Sequence, residues 1–436
     1  MRSSHVGPDG VQSAAAMNNG FDSRLRAYAD LTVKIGLNLQ PQQRLLIIGP
    51  VANGGCSLEA APLVRHITAS AYAAGAQLVE TLWGDEALLG ARLQHAPRDS
   101  FAEFPKWWLT GPLEYAERGD AILSISATDP DLLAGQDPEL VNIYQGTLWK
   151  EMAPYLRHGT NNTMNWCVIS AARPVWAKKL FPKLDEEKAV AKLWNTIFKM
   201  CRVDADDPVA AWEEHIRDLQ ARSQYLNRKQ YSALHFTAPG TDLTLGLPKD
   251  HHWASAREES QNGIEFTANI PTEETFTMAD RARADGVVAS TKTLNYGGTL
   301  IEGIVVRFEN GRVVEVHASQ GEDVLRKMIA TDEGAARLGE IAIVPHSSPI
   351  SRSGLMFHNT LFDENASCHL ALGRAYKFNL KGGLKLTDEE FAARGGNQSF
   401  IHVDFMIGSD KMNIDGITAN GQVEPILRKG EWAFHV

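Results

Sequence analysis

A histidine and a carboxylate lie two residues apart in the otherwise mostly apolar run from Ser399 to Gly408. Side chains alternate faces along a strand, so His402 and Asp404 would point to one side and Val403 and Phe405 to the other. An imidazole beside a carboxylate on a strand suits a divalent cation. An isolated H-x-D pattern also fits a hydrogen-bonded His–Asp pair on a solvated face.

A glutamate interrupts the second apolar run, residues 337–344. Glutamate is almost never fully buried without a partner, so Glu340 among Ile, Ala and Val needs a cation or a proton. The alternative is an edge position at which Glu340 faces water.

A third candidate segment covers residues 362–376. We predict a helix that begins near Asp363, with Asp363 as its N-cap, and that places His369 and Tyr376 on one face. Asp363 and Glu364 also fit favourable charges at the positive end of a helix. His369 alone also fits a hydrogen-bonded core histidine.

The fourth candidate is the turn within residues 268–277, where Pro271 precedes the adjacent carboxylates of Glu273 and Glu274. Alone, it also fits an exposed acidic turn.

Carboxylates do not crowd together without cations to offset their repulsion. The carboxylates and histidines of the four segments together predict a shared site for two Zn²⁺, Co²⁺ or Mn²⁺ ions. The predicted ligands are Glu274, Glu340, Glu364, His369, His402 and Asp404.

The elements that must position these residues differ between the two halves of the chain. Residues 44–49, 78–82 and 121–126 read as buried strands with a helix between the first two, which predicts a parallel sheet. Two further helices are predicted around residues 190–198 and 212–226. In the second half, Pro239-Gly240 and Asn310-Gly311 mark hairpins, so antiparallel strands should dominate there.

The predicted fold is therefore an N-terminal α/β domain with a largely parallel sheet and a C-terminal α+β catalytic domain rich in antiparallel strands. We place a disordered leader at residues 1–20, the first domain at 21–230 and the second at 231–436. A chain of 436 residues is long enough for two such cores.

Composition excludes several classes of protein. The net charge is −10 and no block of Lys or Arg occurs, so we expect no nucleic-acid partner. No apolar run is long enough to span a membrane, and the N-terminus lacks the apolar core of a signal peptide. The four cysteines form no C-x-x-C pair and read as reduced thiols. Together these features predict a cytoplasmic protein without a membrane partner.

These segments resemble the thermophilic-type aminopeptidases, the M29 metallopeptidases. The resemblance covers nearly the whole chain after the leader, and residues 363–369 and 402–408 carry its most specific motifs. The matching segments are 269–274, 294–298, 338–340, 359–369, 371–376 and 402–408.

The resemblance implies a homodimer that removes N-terminal residues from peptides and uses metal ions, often Zn²⁺ or Co²⁺. The ligands that it implies are Glu274, Glu340, His369, Tyr376, His402 and Asp404, with Glu364 as a further ligand or proton-transfer group. Two residues depart from the family pattern: Thr275 replaces an aliphatic residue and His358 replaces a tyrosine. Both bear on substrate preference.

The predicted mechanism uses two metal ions to activate a water molecule. Glu364 or Glu340 would transfer its proton, and Tyr376 would ligate metal or donate a hydrogen bond to the oxyanion. One alternative is hydrolysis of a non-peptide amide at the same site. A second is a mononuclear iron ring-cleaving dioxygenase that uses His369, His402 and Asp404, although the extra carboxylates argue against it.

A non-enzymatic role based on nucleotide binding is the remaining alternative. The segment Gly49 to Gly55 follows a strand but matches neither glycine-rich phosphate-binding pattern, so we interpret it as an ordinary turn.

Overall fold

The computed structural model describes residues 8–296 and 299–436, with side chains from residue 20 onward except that of Asn53. The α-helices are α1 (Pro8–Leu31), α2 (Ala61–Ala73), α3 (Glu86–His95), α4 (Trp107–Glu117), α5 (Pro138–Thr160), α6 (Pro174–Leu180), α7 (Glu186–Met200), α8 (Pro208–Lys229), α9 (Glu322–Ile329), α10 (Pro349–Ser353), α11 (Thr360–Asp363) and α12 (Asp388–Ala393).

The strands follow in the same chain order. They are β1 (Arg44–Ile48), β2 (Cys56–Ser57), β3 (Leu78–Thr81), β4 (Trp83–Gly84), β5 (Ala121–Ser126), β6 (Trp166–Ser170), β7 (Ala233–Ala238), β8 (Thr241–Gly246), β9 (Glu258–Glu259), β10 (Glu265–Phe266), β11 (Thr275–Met278), β12 (Ala284–Ala289), β13 (Leu294–Tyr296), β14 (Thr299–Ile301), β15 (Val305–Glu309), β16 (Arg312–His317), β17 (Leu338–Ile343), β18 (His369–Gly373), β19 (His402–Met406), β20 (Asn413–Ile417), β21 (Val423–Arg428) and β22 (Glu431–Trp432).

The N-terminal unit, which we define as the chain through α8, is built on a parallel sheet in the order β3-β1-β5-β6. Its β1 is an apolar run buried on both faces, as the sequence predicts for a parallel strand. Asp185 and Asp207 cap α7 and α8 by accepting main-chain N–H groups, and Pro208 starts α8. The predicted strands and helices of this half are confirmed.

The C-terminal unit contains two large antiparallel sheets, besides the two-stranded pairs β9–β10 and β13–β14. Eight strands follow the order β16-β15-β12-β8-β7-β20-β21-β22, and four follow the order β11-β17-β18-β19. Asn310 and Gly311 both adopt positive φ in the β15–β16 turn, as a two-residue hairpin requires. Apolar residues from both sheets, among them Phe236, Ile341 and Phe405, share one core. The predicted fold class is confirmed.

The predicted helix across residues 363–376 is wrong. Thr360–Asp363 is a single helical turn capped by Asn359, not by Asp363, and a short 3₁₀ turn, Glu364–Ala366, follows it. His369 then begins β18, in which every residue is buried. Because a strand buried on both faces shows no alternation, this run could not be distinguished from a helix by periodicity.

Packing crosses the predicted boundary at residue 230. Ile270, Phe357 and Phe362 of the C-terminal half belong to the core of the N-terminal unit. The predicted leader, residues 1–20, overlaps α1, and residues 1–7 lie outside the described residues. The division into leader and two domains stays a prediction. Within residues 8–296 and 299–436, none of the helices combines the length and the apolar character that crossing a bilayer requires.

Candidate metal centre

Three neighbouring strands bring four predicted ligands to one face of the four-stranded sheet. Glu340 of β17 pairs with Ala371 of β18, which pairs with Asp404 of β19. His369 and His402 each lie two residues from this row, so they share its face. Residues on the opposite face, such as Ile341, pack into the core between the sheets. The alternation predicted for residues 401–405 therefore places His402 and Asp404 together.

Glu274 reaches the site by a different route. Asn269 forms a parallel bridge with Val168 at the edge of the N-terminal sheet, and Ile270 donates its main-chain N–H to the Val168 carbonyl at 3.0 Å. The chain then turns through a cis Ile270–Pro271 bond. Glu274 follows immediately before β11. The acidic turn is thus buried between the two units rather than exposed.

The side chains form two overlapping triads. Ligand atoms of Glu274, Glu340 and His369 lie within 4.8 Å of one another. The same limit holds for Glu340, His402 and Asp404. His369 Nε2 lies 3.3 Å from Glu274 Oε2, and His402 Nε2 lies 3.4 Å from Asp404 Oδ1. Glu340 is common to both triads: its Oε1 lies 3.5 Å from His369 Nε2 and its Oε2 lies 3.9 Å from His402 Nε2.

Main-chain carbonyls fix the orientation of both histidines. His369 Nδ1 lies 3.2 Å from the Ser367 carbonyl oxygen, and His402 Nδ1 lies 2.7 Å from that of Arg374. A carbonyl only accepts, so each Nδ1 carries the proton and each Nε2 faces the carboxylates. This is the usual arrangement of a metal-binding imidazole.

Glu364 and Tyr376 complete the cluster of predicted residues. Burial raises the pKa of Glu364 well above its usual value, and the charges of Glu274 and Asp404 raise it further. Burial, followed by the charges of Glu340 and Asp404, likewise raises the pKa of Tyr376. The Tyr376 ring centroid lies 4.9 Å from that of His402. Both groups therefore lie within electrostatic reach of the triads.

The electrostatics of the cluster favour a cation. Burial would lower the pKa of His369, but a hydrogen bond to Glu340 and the charge of Asp404 outweigh it and raise the pKa to about 10. Burial opposes charge on His402 too, and Asp404 raises its pKa to about 10. Burial and the charge of Glu340 raise the pKa of Glu274. The carboxylates of the site therefore favour positive charge on the groups beside them.

Two carboxylate oxygens that accept no hydrogen bond supply a further test of whether metal ions fit. Glu274 Oε2 and Asp404 Oδ1 are buried and accept no hydrogen bond from the part of the chain that the structure describes. An uncompensated carboxylate oxygen is costly to bury. With two imidazoles and several carboxylates around these oxygens, the donor set fits divalent metal ions.

Asn365 is a site residue that the sequence did not identify. It is fully buried; its Oδ1 accepts the Glu273 N–H at 2.7 Å, and its Nδ2 donates to the Leu361 carbonyl at 3.0 Å. It therefore ties the turn before Glu274 to the segment that carries Glu364. An asparagine beside a predicted helix start reads as a local cap, so no sequence signal distinguishes this long-range role.

Comparisons with known proteins found a family model and several relatives that match nearly the whole chain. The family model described as thermophilic metalloprotease (M29) matches residues 21–432. The chain is 45% identical over 416 residues to aminopeptidase AmpS of Bacillus subtilis (strain 168). The aligned region covers 95% of this chain and 100% of the relative. It is 46% identical over 418 residues to aminopeptidase 2 of Geobacillus stearothermophilus, and this alignment covers 96% of this chain and 100% of the relative. The solved structure of wild-type AmpT from Thermus thermophilus superposes on this chain with a TM-score of 0.88 and a sequence identity of 42%. The superposition covers 95% of this chain and 100% of the AmpT chain.

Proposed function

We propose a dinuclear mechanism for this chain, which belongs to the thermophilic metalloprotease (M29) family and is a metal-dependent aminopeptidase. Glu274, Glu340 and His369 would hold one divalent ion, and Glu340, His402 and Asp404 would hold a second. The observation that carries this proposal is the position of Glu340, whose two oxygens face the two histidines. When bound, such ions supply Lewis acidity to a water molecule and to the scissile carbonyl.

Glu364 is the group that we assign to proton transfer. Its carboxyl lies at the site yet belongs to neither triad. Its raised pKa stems from burial and from neighbouring carboxylates, so cations held by those neighbours would return it to the charged form. It would then take the proton of the attacking water and pass it to the leaving amine.

Tyr376 is assigned as a hydrogen-bond donor. Burial and nearby carboxylates raise the pKa of its hydroxyl, so the hydroxyl keeps its proton at neutral pH. A neutral phenol beside His402 can donate to the carbonyl oxygen of the substrate as negative charge builds on it. It would also serve as a weak ligand of the ion that His402 and Asp404 hold.

We further propose a cytoplasmic homodimer. The four cysteines are free and buried, as expected in a reducing compartment. The N-terminal unit exposes large apolar side chains, including Leu88, Trp107 and Trp149, which suit a subunit interface. Light scattering of the purified protein measures the subunit number directly.

The decisive experiment combines metal analysis with peptide hydrolysis. We expect about two divalent ions per chain, loss of aminoacyl-anilide hydrolysis after chelation, and recovery when Zn²⁺, Co²⁺ or Mn²⁺ is returned. Glu364→Gln should keep the ions and lose turnover. One ion per chain, or a Glu364→Gln variant with full turnover, would contradict the mechanism.

The same assay addresses the two alternatives. Hydrolysis of unrelated amides in preference to aminoacyl anilides would favour a non-peptide amidase. Oxygen consumption with bound iron would favour the dioxygenase. Family membership and the carboxylates Glu274 and Glu340, which a single Fe(II) does not need, make both weaker than the aminopeptidase.

A further inference from the structure

A buried ion pair links the N-terminal unit to the residue next to Glu274. Arg202, just after α7, places Nη1 2.8 Å from Glu273 Oε1 and donates from Nη2 to Glu273 Oε2 at 3.1 Å. The Glu273 side chain is 5% exposed. One hydrogen bond from Nη2 and one close charge contact from Nη1 therefore hold this carboxylate, whose Oε1 accepts no hydrogen bond from the described residues.

His215 of α8 adds a second contact to the same turn. Arg202 Nη2 lies 3.2 Å from His215 Nδ1, and an arginine can only donate, so Nδ1 is the acceptor. The His215 proton therefore lies on Nε2, which donates to the Thr272 carbonyl at 2.8 Å. Arg202 and His215, which we call the clamp, thus hold the two residues that precede Glu274.

The clamp is itself rigidly supported. Trp212 is fully buried, its Nε1 donates to the Cys201 carbonyl at 2.7 Å, and its ring lies 5.4 Å from the Arg202 guanidinium carbon and edge-on to His215. Arg202 adopts φ 57°, a left-handed conformation that non-glycine residues adopt rarely and that persists where the surroundings impose it.

We propose that the clamp is a positioning device for Glu274 and thereby sets the affinity of the ion that Glu274, Glu340 and His369 hold. The inference rests on the proposed function, because it takes Glu274 to be a ligand. Asn365 holds the turn from the opposite side through the Glu273 N–H, so the main chain at Glu273 is fixed from two directions. Arg202 and His215 would act only through this turn.

The side chains of the clamp can be substituted without rearranging the surrounding core, because they border a cavity. Arg202, His215 and Glu273 border a cavity of about 380 Å³, so water can hydrate Glu273 when the guanidinium is removed. Loss of a partner that orients a metal ligand costs roughly 10- to 100-fold in metal affinity or activity. We expect that range for Arg202→Met, and a smaller loss for Glu273→Gln, which keeps the shape of the side chain.

The test uses the Co²⁺-loaded protein, since the visible absorption of Co²⁺ reports ligand geometry independently of turnover. Spectra and Co²⁺ affinity, measured by competition with a chelator, are compared for the wild type, Arg202→Met, Glu273→Gln and Glu274→Gln. Arg44→Met is the matched control, because Arg44 forms a buried pair with Asp120 (Nε to Oδ2, 2.7 Å) inside the N-terminal unit. We expect Arg202→Met to change the spectrum and weaken one ion, while Arg44→Met lowers thermal stability alone.

The outcomes distinguish a failure of the clamp proposal from a failure of the proposed function. If Glu274→Gln alters the Co²⁺ spectrum but Arg202→Met and Glu273→Gln both match Arg44→Met, the clamp proposal is overturned and the proposed function stands. If Glu274→Gln leaves the spectrum and stoichiometry unchanged, the proposed function itself fails. Should Arg202→Met not fold, Glu273→Gln decides the question, because it removes the charge pair with an isosteric side chain.

Discussion

At the scale of single residues, the proposed two-ion centre would share one carboxylate between its ions. Glu340 is the carboxylate common to both triads, and its two oxygens face the two histidines. Glu274 and Asp404 each belong to one triad only. Substitutions at shared and unshared ligands should therefore differ in how many ions are lost.

If the proposed two-ion centre is right, Glu340→Gln should lose both ions, because an amide carries no charge and is a much poorer ligand than a carboxylate. Asp404→Asn should lose only the ion that His402 also binds. We expect kcat/KM to fall by more than roughly 100-fold in both, since even groups that merely orient ligands are worth 10- to 100-fold. Elemental analysis of the purified variants checks the stoichiometry, and equal metal loss in the two would contradict a shared Glu340.

A residue outside the centre makes stability depend on pH. Burial lowers the pKa of His251 to about 4, and its Nε2 has no hydrogen-bond partner among the described side chains and main chain. An unfolded histidine titrates near 6.5, so between these values the unfolded state binds more protons. The stabilisation is complete above about pH 6.5 and is lost as pH falls toward 4, by up to about 3 kcal/mol.

His251→Gln should flatten this part of the pH dependence. Urea unfolding of the wild type and the variant at several pH values from 7 to 4 measures it. Parallel curves for the two proteins would show that His251 is not the group responsible.

At the scale of elements, the site requires close contact between β18 and β19. Gly373 pairs with His402 and adopts φ 106°, and a Cβ at this position would overlap the Ile401 carbonyl oxygen. A side chain here would push β19 away from β18 and move His402 with it. The glycine is required by the approach of the neighbouring strand as well as by its own conformation.

Gly373→Ala should therefore be destabilising and should weaken metal binding. Gly382→Ala is the matched control, because Gly382 has φ 74° but a Cβ added there would meet no described non-neighbouring atom within 4 Å. The control should cost about 1 kcal/mol for its conformation. Gly373→Ala should cost about 1–3 kcal/mol more for the overlap. Urea unfolding with metal analysis tests this, and equal costs would contradict it.

At the scale of the whole molecule, the centre is assembled between the two units. Glu274 follows a segment that extends the N-terminal sheet, while the other triad residues lie on a C-terminal sheet. The segment that leads to Glu364 is anchored on the N-terminal unit, because Trp176 Nε1 donates to the Phe357 carbonyl at 2.6 Å. Activity should therefore depend on contacts that lie far from the sheet of ligands.

Trp176→Phe should lower both stability and turnover. The Phe357 carbonyl would lose its buried donor, which costs about 1–3 kcal/mol. Because the segment carries Glu364 and none of the triad ligands, kcat should fall while metal content stays unchanged. Trp253→Phe is the control, since the buried Trp253 Nε1 has no acceptor in the described part of the chain. A stability loss with unchanged kcat would show that this contact does not position Glu364.

Family membership confirms the sequence-based prediction of a metal-dependent aminopeptidase with an α/β unit and an antiparallel C-terminal unit. The residues that cluster in the structure could also be named from the sequence, because a carboxylate or imidazole in an apolar run is chemically conspicuous; their role as metal ligands stays a prediction. In the motif 294–298, Gly297 and Gly298 lie outside the described residues, so that part of the resemblance stays a sequence match.

The amino-acid sequence determined the kinds of candidate ligand, and period-two alternation determined that His402 and Asp404 share one face of β19. Only the tertiary structure decided that His369 lies on a strand, because β18 is buried on both faces and its residues carry no alternating signal. It alone also decided that Glu340 faces both histidines and that Arg202 and Asn365 hold the turn at Glu273. Those contacts join residues far apart in the chain, and local propensity contains no information about which distant groups will meet.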